Sequence, residues 1–282
     1  MTARSSNGRP WTFYALAAFF TLFVLFLYGP MSAIFILSFQ GPTGGLTFPM
    51  NGVSLHWFKA LVVQQRSGDF VGSFSRSIVL AITVVISIMA GLAFRYRFRG
   101  ATAVFYMAIA SLIMPGLLLG LGVGLMFQFA HVSPAWFSSA LGAQLTWTLP
   151  FGLLIMFAVF SRFNRAYEEA ARDLGASPWQ TLRLVVLPIL LPGIIGVALF
   201  GFTLSYDEFP RTLIPIGSRN TLPLEIWAMT TDVTSPALYA LGTLTTAVSF
   251  VVIAVALTSI AVIQRRRARR QRDRTPGPLG DA

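Results

Sequence analysis

Side chains able to do chemistry are sparse in this chain, and their spacing excludes most catalytic classes. Among 282 residues there are no cysteines, two histidines, ten carboxylates and 21 basic residues, of which Lys59 is the single lysine. Without cysteine there can be no disulfide framework, thiolate metal site or cysteine nucleophile. His56 and His131 lie far apart, in no HExxH or comparable ligand spacing, and read as interfacial or loop residues. No Gly-x-Ser-x-Gly elbow occurs. A phosphate-cradling loop needs Gly-x-x-x-x-Gly-Lys-Ser/Thr, because backbone amides hold the phosphates and the lysine reaches them. Lys59 stands instead in HWFKAL, and the glycine-rich run GLLLGLGVG at 116–124 has no lysine. The chain cannot bind ATP in that way. What remains are two groups of carboxylates: Glu168 and Glu169 in one polar segment, and Asp207, Glu208, Glu225 and Asp232 in another.

The elements that must position these groups are apolar. The chain is 55% hydrophobic and 11% charged, against about 25% charged in an ordinary soluble domain, so its solvent must be lipid. A bilayer core of roughly 30 Å needs about 20 apolar residues as helix. Six stretches qualify, at about 11–39, 74–94, 103–127, 136–160, 185–206 and 237–263. The first is too long for a cleaved signal peptide and lacks a small-residue cleavage site at its end. The glycines of 116–124 fall inside the third stretch, where they would let helices pack closely. One membrane domain, 1–282, with no separate soluble domain, is the expectation.

Charge sets the orientation. Arg4 and Arg9, then Arg95, Arg97 and Arg99, then Arg162, Arg165, Arg172 and Arg183, and finally Arg265, Arg266, Arg267, Arg269, Arg270, Arg272 and Arg274 all fall on one side of a six-span chain. The other side holds Lys59, Arg66, Arg76, Arg211 and Arg219. Loops rich in Lys and Arg stay cytoplasmic, which places both termini inside. The formal charge of +11 is therefore a topology signal that also attracts anionic lipid headgroups, not a nucleic-acid footprint.

The cytoplasmic segment RFNRAYEEAARDLGASPWQTLRLVVLPILLPGI is the most informative. An amphipathic helix is predicted over about Asn164–Leu174, with Ala170, Ala171 and Leu174 on one side and Arg165, Glu168 and Arg172 on the other. Gly175 stands where a left-handed C′ residue belongs. Ser177, Pro178 and Gln180 then form an N-cap, a first-turn proline and a capping box. Helix, tight glycine turn and second helix follow, the second running into the fifth span, where Pro188 and Pro192 should bend it. A rigid hairpin with an apolar face, attached to a transmembrane helix, is a docking lever.

At these residues the chain resembles the permeases of bacterial ABC importers. Their signature loop reads Glu-Ala-Ala, three residues, Gly, nine residues, a β-branched aliphatic, one residue, Leu-Pro. Here those positions are Glu169, Ala170, Ala171, Gly175, Val185, Leu187 and Pro188, with Val185 where the family usually has Ile. The resemblance implies an all-α membrane protein of six transmembrane helices with the type I ABC importer permease fold, in which this loop is the cytoplasmic coupling helix. Glu168, Glu169, Ala170, Ala171, Gly175, Leu187 and Pro188 would then form the ATPase-coupling site. It also implies partners: a second homologous permease, two ATPase subunits that bind ATP and Mg, and a periplasmic or lipid-anchored substrate-binding protein. No cofactor and no metal belong to this chain in that reading.

A second likeness concerns the substrate. SYDEFPRTLIPIG and TLPLEIWAMTTDVTSPALYALGTL, with RYRFRG and LIMPGLLLGLG, are similar to the spermidine/putrescine-type permeases, to the second of their paired subunits in particular. The likeness covers roughly 70–263. It departs at Arg76 in SFSRSIVLA, where that group commonly has Asn. Polyamines are cations, so Asp207 and Glu208 at the external boundary, with Glu225, are the candidate substrate-pathway residues. The competing reading pairs the first two with Arg211 and Arg219 to fix the external loop. A gradient-driven secondary transporter is the rival class, but intramembrane carboxylates and two repeated halves are not evident. An importer of the same class for another small organic ion is the nearer alternative.

Overall fold

The computed structural model describes residues 11–63, 69–96, 98–231 and 235–272. Arg4, Arg9, Arg66, Arg97, Asp232 and Arg274, which entered the charge argument, lie outside the described residues. The chain packs as two compact units, Met1–Gly68 with Met229–Thr246 and Asp69–Ala228 with Ala247–Ala282.

In the first unit, α1 (Trp11–Leu37) is apolar throughout and buries only Leu37; its flanks require lipid or a partner. A loop leads from it to α2 (His56–Val63). Gln40 organises this loop: its side chain accepts from the Asn51 N–H at 2.8 Å and donates to the Gly45 carbonyl at 3.1 Å. The Tyr239 hydroxyl donates to the Leu46 carbonyl at 2.9 Å.

The second unit begins with α3 (Phe70–Leu80) and α4 (Ile82–Ala93), which read together as one span. After α5 (Ala101–Ile113) and α6 (Gly116–Phe129), a π-helical turn at Trp136–Ala140 opens α7 (Leu141–Phe160). Then come α8 (Ala166–Asp173), the single turn α9 (Pro178–Thr181), a π-helical turn at Leu182–Val186 and α10 (Leu187–Tyr206). The helices α11 (Leu222–Thr231) and α12 (Ala237–Arg272) follow, each divided between the units, since Met229–Thr246 belongs to the first.

The core is the α4, α7 and α10 contact, with Leu80, Leu153, Met156 and Val197 buried. Small residues make it possible. A Cβ at Gly91 would lie 2.6 Å from the Met156 Cβ, and one at Gly152 would lie 2.5 Å from the Ser87 Cβ. Lipid offers no hydrophobic drive between helices, so such close backbone approach is what holds transmembrane helices together.

One stretch departs from expectation. The apolar run predicted as the third span, about 103–127, is two helices, α5 and α6, bent by 118°. Pro115 lacks an N–H and disfavours helical backbone at the residue before it, and Met114 is extended with ψ 134°. Among the described residues, five helices are long and apolar enough to cross a membrane, or six if this bent pair counts as one. The glycines keep a packing role at a different place. Those at 116, 120 and 124 line one face of α6 at i, i+4 spacing, and a Cβ at Gly120 would lie 2.7 Å from the Arg211 carbonyl oxygen.

The prolines of the fifth span act locally. Helix α10 continues through Pro192, and the ladder loosens just before Pro188, where Leu182–Val186 winds as a π turn. Wider winding is the usual way a helix absorbs a lost i→i−4 bond.

Candidate functional site

Two clusters sit at opposite ends of the second unit. The first is the hairpin between α7 and α10. Asn164 Oδ1 accepts from the Ala166 N–H at 3.0 Å and starts α8. At its other end Gly175 has φ +81°. The Gly175 N–H donates to the Arg172 carbonyl at 2.8 Å and the Ala176 N–H to the Ala171 carbonyl at 3.0 Å. These two bonds are the Schellman closure, which satisfies carbonyls that a helix end leaves open. The capping box forms two residues later: the Gln180 N–H donates to Ser177 Oγ at 3.3 Å, and the Ser177 N–H to Gln180 Oε1 at 2.8 Å.

The hairpin sorts the candidate residues onto two faces. Glu169, Ala170 and Gly175 are exposed, Ala171 is half-buried, and Leu174 and Trp179 are 90% and 64% exposed. Glu168 turns the other way. It is buried and ion-paired with Arg95, from the connection between α4 and α5, and Arg172 approaches its second oxygen at 3.8 Å. The Arg95 guanidinium lies 5.5 Å from the Phe160 ring centroid and 5.0 Å from that of Phe163, within cation–π range. Burial pulls Arg95 below its ordinary value, yet an arginine stays charged. Leu187 is half-buried; Pro188 is exposed, and its carbonyl accepts from Arg267. The three arginines at 95, 97 and 99 were legible only as a topology count, which needs no individual partner.

The second cluster surrounds the end of α10. Ser205 donates its hydroxyl hydrogen to Gln144 Oε1 at 2.6 Å, and Gln144 Nε2 donates to Thr212 Oγ1 at 3.3 Å. Glu208 is 6% exposed; it accepts from the Arg211 N–H at 3.0 Å and pairs with that guanidinium at 3.7 Å. Arg211 in turn lies 4.2 Å over the Trp147 ring. Glu225 is buried and accepts from Asn220 Nδ2 at 3.0 Å. Asp207 alone of the three faces solvent, although the protein around it pushes its carboxyl above the ordinary range. Burial also raises Glu208, with the Arg211 hydrogen bond and charge acting against that rise. His56 and His131 join no metal set, and no group of three metal-ligating side chains occurs among the described residues.

Arg76, the departure in the sequence pattern, has a structural function. It is 5% exposed; its Nε donates to the Asn220 carbonyl at 2.6 Å and Nη2 to Asp69 Oδ2 at 2.9 Å. Asp69 caps α3 by accepting from the Gly72 N–H, and the Arg76 hydrogen bond holds its carboxyl below the usual range. The guanidinium thus clips the segment before α11 to the start of α3. Arg76→Asn is expected to destabilise the fold by about 1–3 kcal/mol, the usual cost of stranding buried hydrogen-bonding groups, read as a lower melting temperature in detergent. A depressed carboxylate contributes stability above its unfolded pKa and loses it as pH falls through the folded value. The variant should therefore lose part of the acid sensitivity that Asp69 confers below its ordinary 3.8.

Packed apolar helices with a capped hairpin joined to one of the spans are the frame of a multi-pass membrane protein. The chain belongs to the family described as the binding-protein-dependent transport system inner membrane component, whose model matches residues 83–270. It is a multi-pass, non-catalytic permease subunit of an ABC importer. It is 28% identical over 270 residues to the spermidine/putrescine transport system permease protein PotC of Escherichia coli strain K12, covering 93% of this chain and 96% of that one. It is 29% identical over 245 residues to the putrescine transport system permease protein PotI of the same strain, covering 83% and 85%. Its fold matches a bacterial ABC transporter that imports the acidic polysaccharide alginate, with TM-score 0.66 at 15% identity, over 90% of this chain and 96% of that chain.

Proposed function

We propose that this chain is one of two paired permeases of a polyamine importer, and that the 162–184 hairpin couples it to an ATPase subunit. The arginine-rich side is cytoplasmic, with both termini, because short basic loops resist translocation. A second, homologous permease completes the pathway, two ATPase subunits supply ATP and Mg chemistry, and an external binding protein delivers substrate. Closure of the ATPase pair pushes the hairpin and rocks the helices around it, opening the pathway alternately to each side.

The observation that carries the coupling role is the exposed apolar face of a hairpin locked at both ends. Leu174 and Trp179 stand out at 90% and 64% exposure beside Ala170, on a turn fixed by the Gly175 closure and the Ser177 capping box. Exposed large apolar side chains on a stiff protrusion are a partner surface. The polyamine reading is supported by the likeness to PotC and PotI across most of the chain. An anion-selective pathway would not favour an open carboxylate such as Asp207 at its mouth.

The test is uptake by the importer assembled with its own binding protein and ATPase in proteoliposomes. Labelled spermidine or putrescine should accumulate only with ATP, and unlabelled polyamine should compete. Uptake of a different solute with no polyamine transport would discard the substrate and keep the importer. In the same assay Asp207→Asn is expected to raise the apparent KM for spermidine by on the order of tenfold, since a cleft carboxylate concentrates cations by that scale. An unchanged KM removes Asp207 from the pathway. Glu208 and Glu225, held by Arg211 and Asn220, serve the pathway by shaping its wall rather than by meeting the substrate.

A further inference from the structure

We propose that Arg95 is a positioning residue for energy coupling: a strut from the α4–α5 connection that sets the attitude of α8 through Glu168. The inference rests on the reading of α8 as the element that meets the ATPase.

The hairpin has two covalent attachments, through residues 161–165 to α7 and through α9 to α10. Both hold α8 at its ends, through the Asn164 bond on one side and the Gly175 closure on the other. The Arg95–Glu168 pair supplies the third point. Glu168 is the inward member of the carboxylate pair, on the face opposite Ala170 and Leu174, and both of its oxygens are engaged by arginines. Arg95 is held before it meets Glu168. Its guanidinium lies between the Phe160 and Phe163 rings, and only 9% of its side chain is exposed.

Behind Arg95 the support is rigid. Phe94 meets Phe157 edge-on at 6.0 Å and Phe105 at 6.5 Å, and Phe105 packs on Phe157 at 5.5 Å. One turn further, Gly91 seats the Met156 side chain. The guanidinium is therefore the tip of the α4/α7 body, whose backbones approach closely at Gly91 and Gly152. A push on the outer face of α8 reaches that body through the ion pair as well as through α10. Removing the pair would let the hairpin roll under load, so that hydrolysis proceeds with less movement of the pathway.

The experiment measures transport per ATP hydrolysed in the complete reconstituted importer. Arg95→Gln and Glu168→Gln are each expected to lower that ratio by roughly tenfold, the scale on which single contacts tune coupling between sites. The double variant should be no worse than either single one, since the two side chains act through one contact. Where a single substitution prevents insertion, the double variant, which leaves no unpaired buried charge, carries the same measurement. A ratio at the wild-type value in the double variant, or losses that add, would overturn the strut. Because the chain has no cysteine, Leu174→Cys provides a separate control: it should crosslink to the ATPase subunit. Crosslinking with an unchanged ratio removes the strut alone, whereas no crosslinking removes the docking reading beneath it.

Discussion

Gly175→Val is expected to abolish transport while a full-length chain still reaches the membrane. A Cβ at this position would meet nothing within 4 Å, so no neighbour stands in the way. The obstacle is the backbone itself, held at φ +81°. An L-residue costs roughly 1–2 kcal/mol in the left-handed region, and a β-branched one more. The short helices α8 and α9 cannot absorb that, and the cheaper response is to open the closure between Gly175 and Arg172 and between Ala176 and Ala171. The hairpin then loses its angle, and Ala170 and Leu174 no longer present one face. Insertion depends on the spans and is untouched. Uptake assays with an immunoblot of the membrane fraction separate the two effects. Gly175→Asn is the control, since asparagine tolerates this conformation, and it should retain most transport. Full transport by the valine variant would mean that the turn does not transmit force.

Glu208→Ala is expected to cost about 3–5 kcal/mol of stability, because it strands a buried guanidinium. Arg211 and Glu208 are 5% and 6% exposed, so water cannot rescue the charge left behind. The disturbance would spread, since the Arg211 backbone is also the surface on which Gly120 rests. Thermal unfolding in detergent should show a large drop for Glu208→Ala. A recovery of much of that loss is expected for Glu208→Ala combined with Arg211→Met, which removes both charges. Asp207→Asn, one residue away and open to solvent, should leave the melting temperature unmoved. Equal effects of the two carboxylate substitutions would refute the division between an anchoring and an open carboxylate.

Five of the six spans were legible because hydropathy needs no partner: a helix of about 20 apolar residues is long enough to cross a bilayer wherever it ends. The hairpin was legible because its signals are local. Gly175, Ser177, Pro178 and Gln180 lie within six positions, and the bonds of the closure and the capping box span no more than five residues. The bend in the third stretch has Pro115 as its one local mark, and an apolar run masks such a break when only composition is counted. Partnerships across the fold left no trace. Arg95 meets Glu168 across 73 positions and Arg76 meets Asn220 across 144, and nothing in the spacing of either pair specifies the other. A count of arginines by side assigned all of them the same duty. Only packing separates Arg95, wedged between aromatic rings, from its neighbour Arg99. The two faces of the adjacent glutamates were similarly hidden, because Glu168 and Glu169 differ by 100° around a helix whose orientation sequence alone does not set.

The widened turn at Leu182–Val186 separates the length of the chain from the compass bearing at which the hairpin leaves the fifth span. A π turn holds one residue more than the α turn it replaces, and both complete about one revolution. Deleting Leu184 would therefore return the turn to ordinary winding and leave the lever aimed at nearly the same neighbour. The same deletion a few residues on, inside α10, where the winding is already α, would swing everything on its far side by about 100° around the axis. Loss of one residue is thus far more tolerable in this turn than in the helix that follows it.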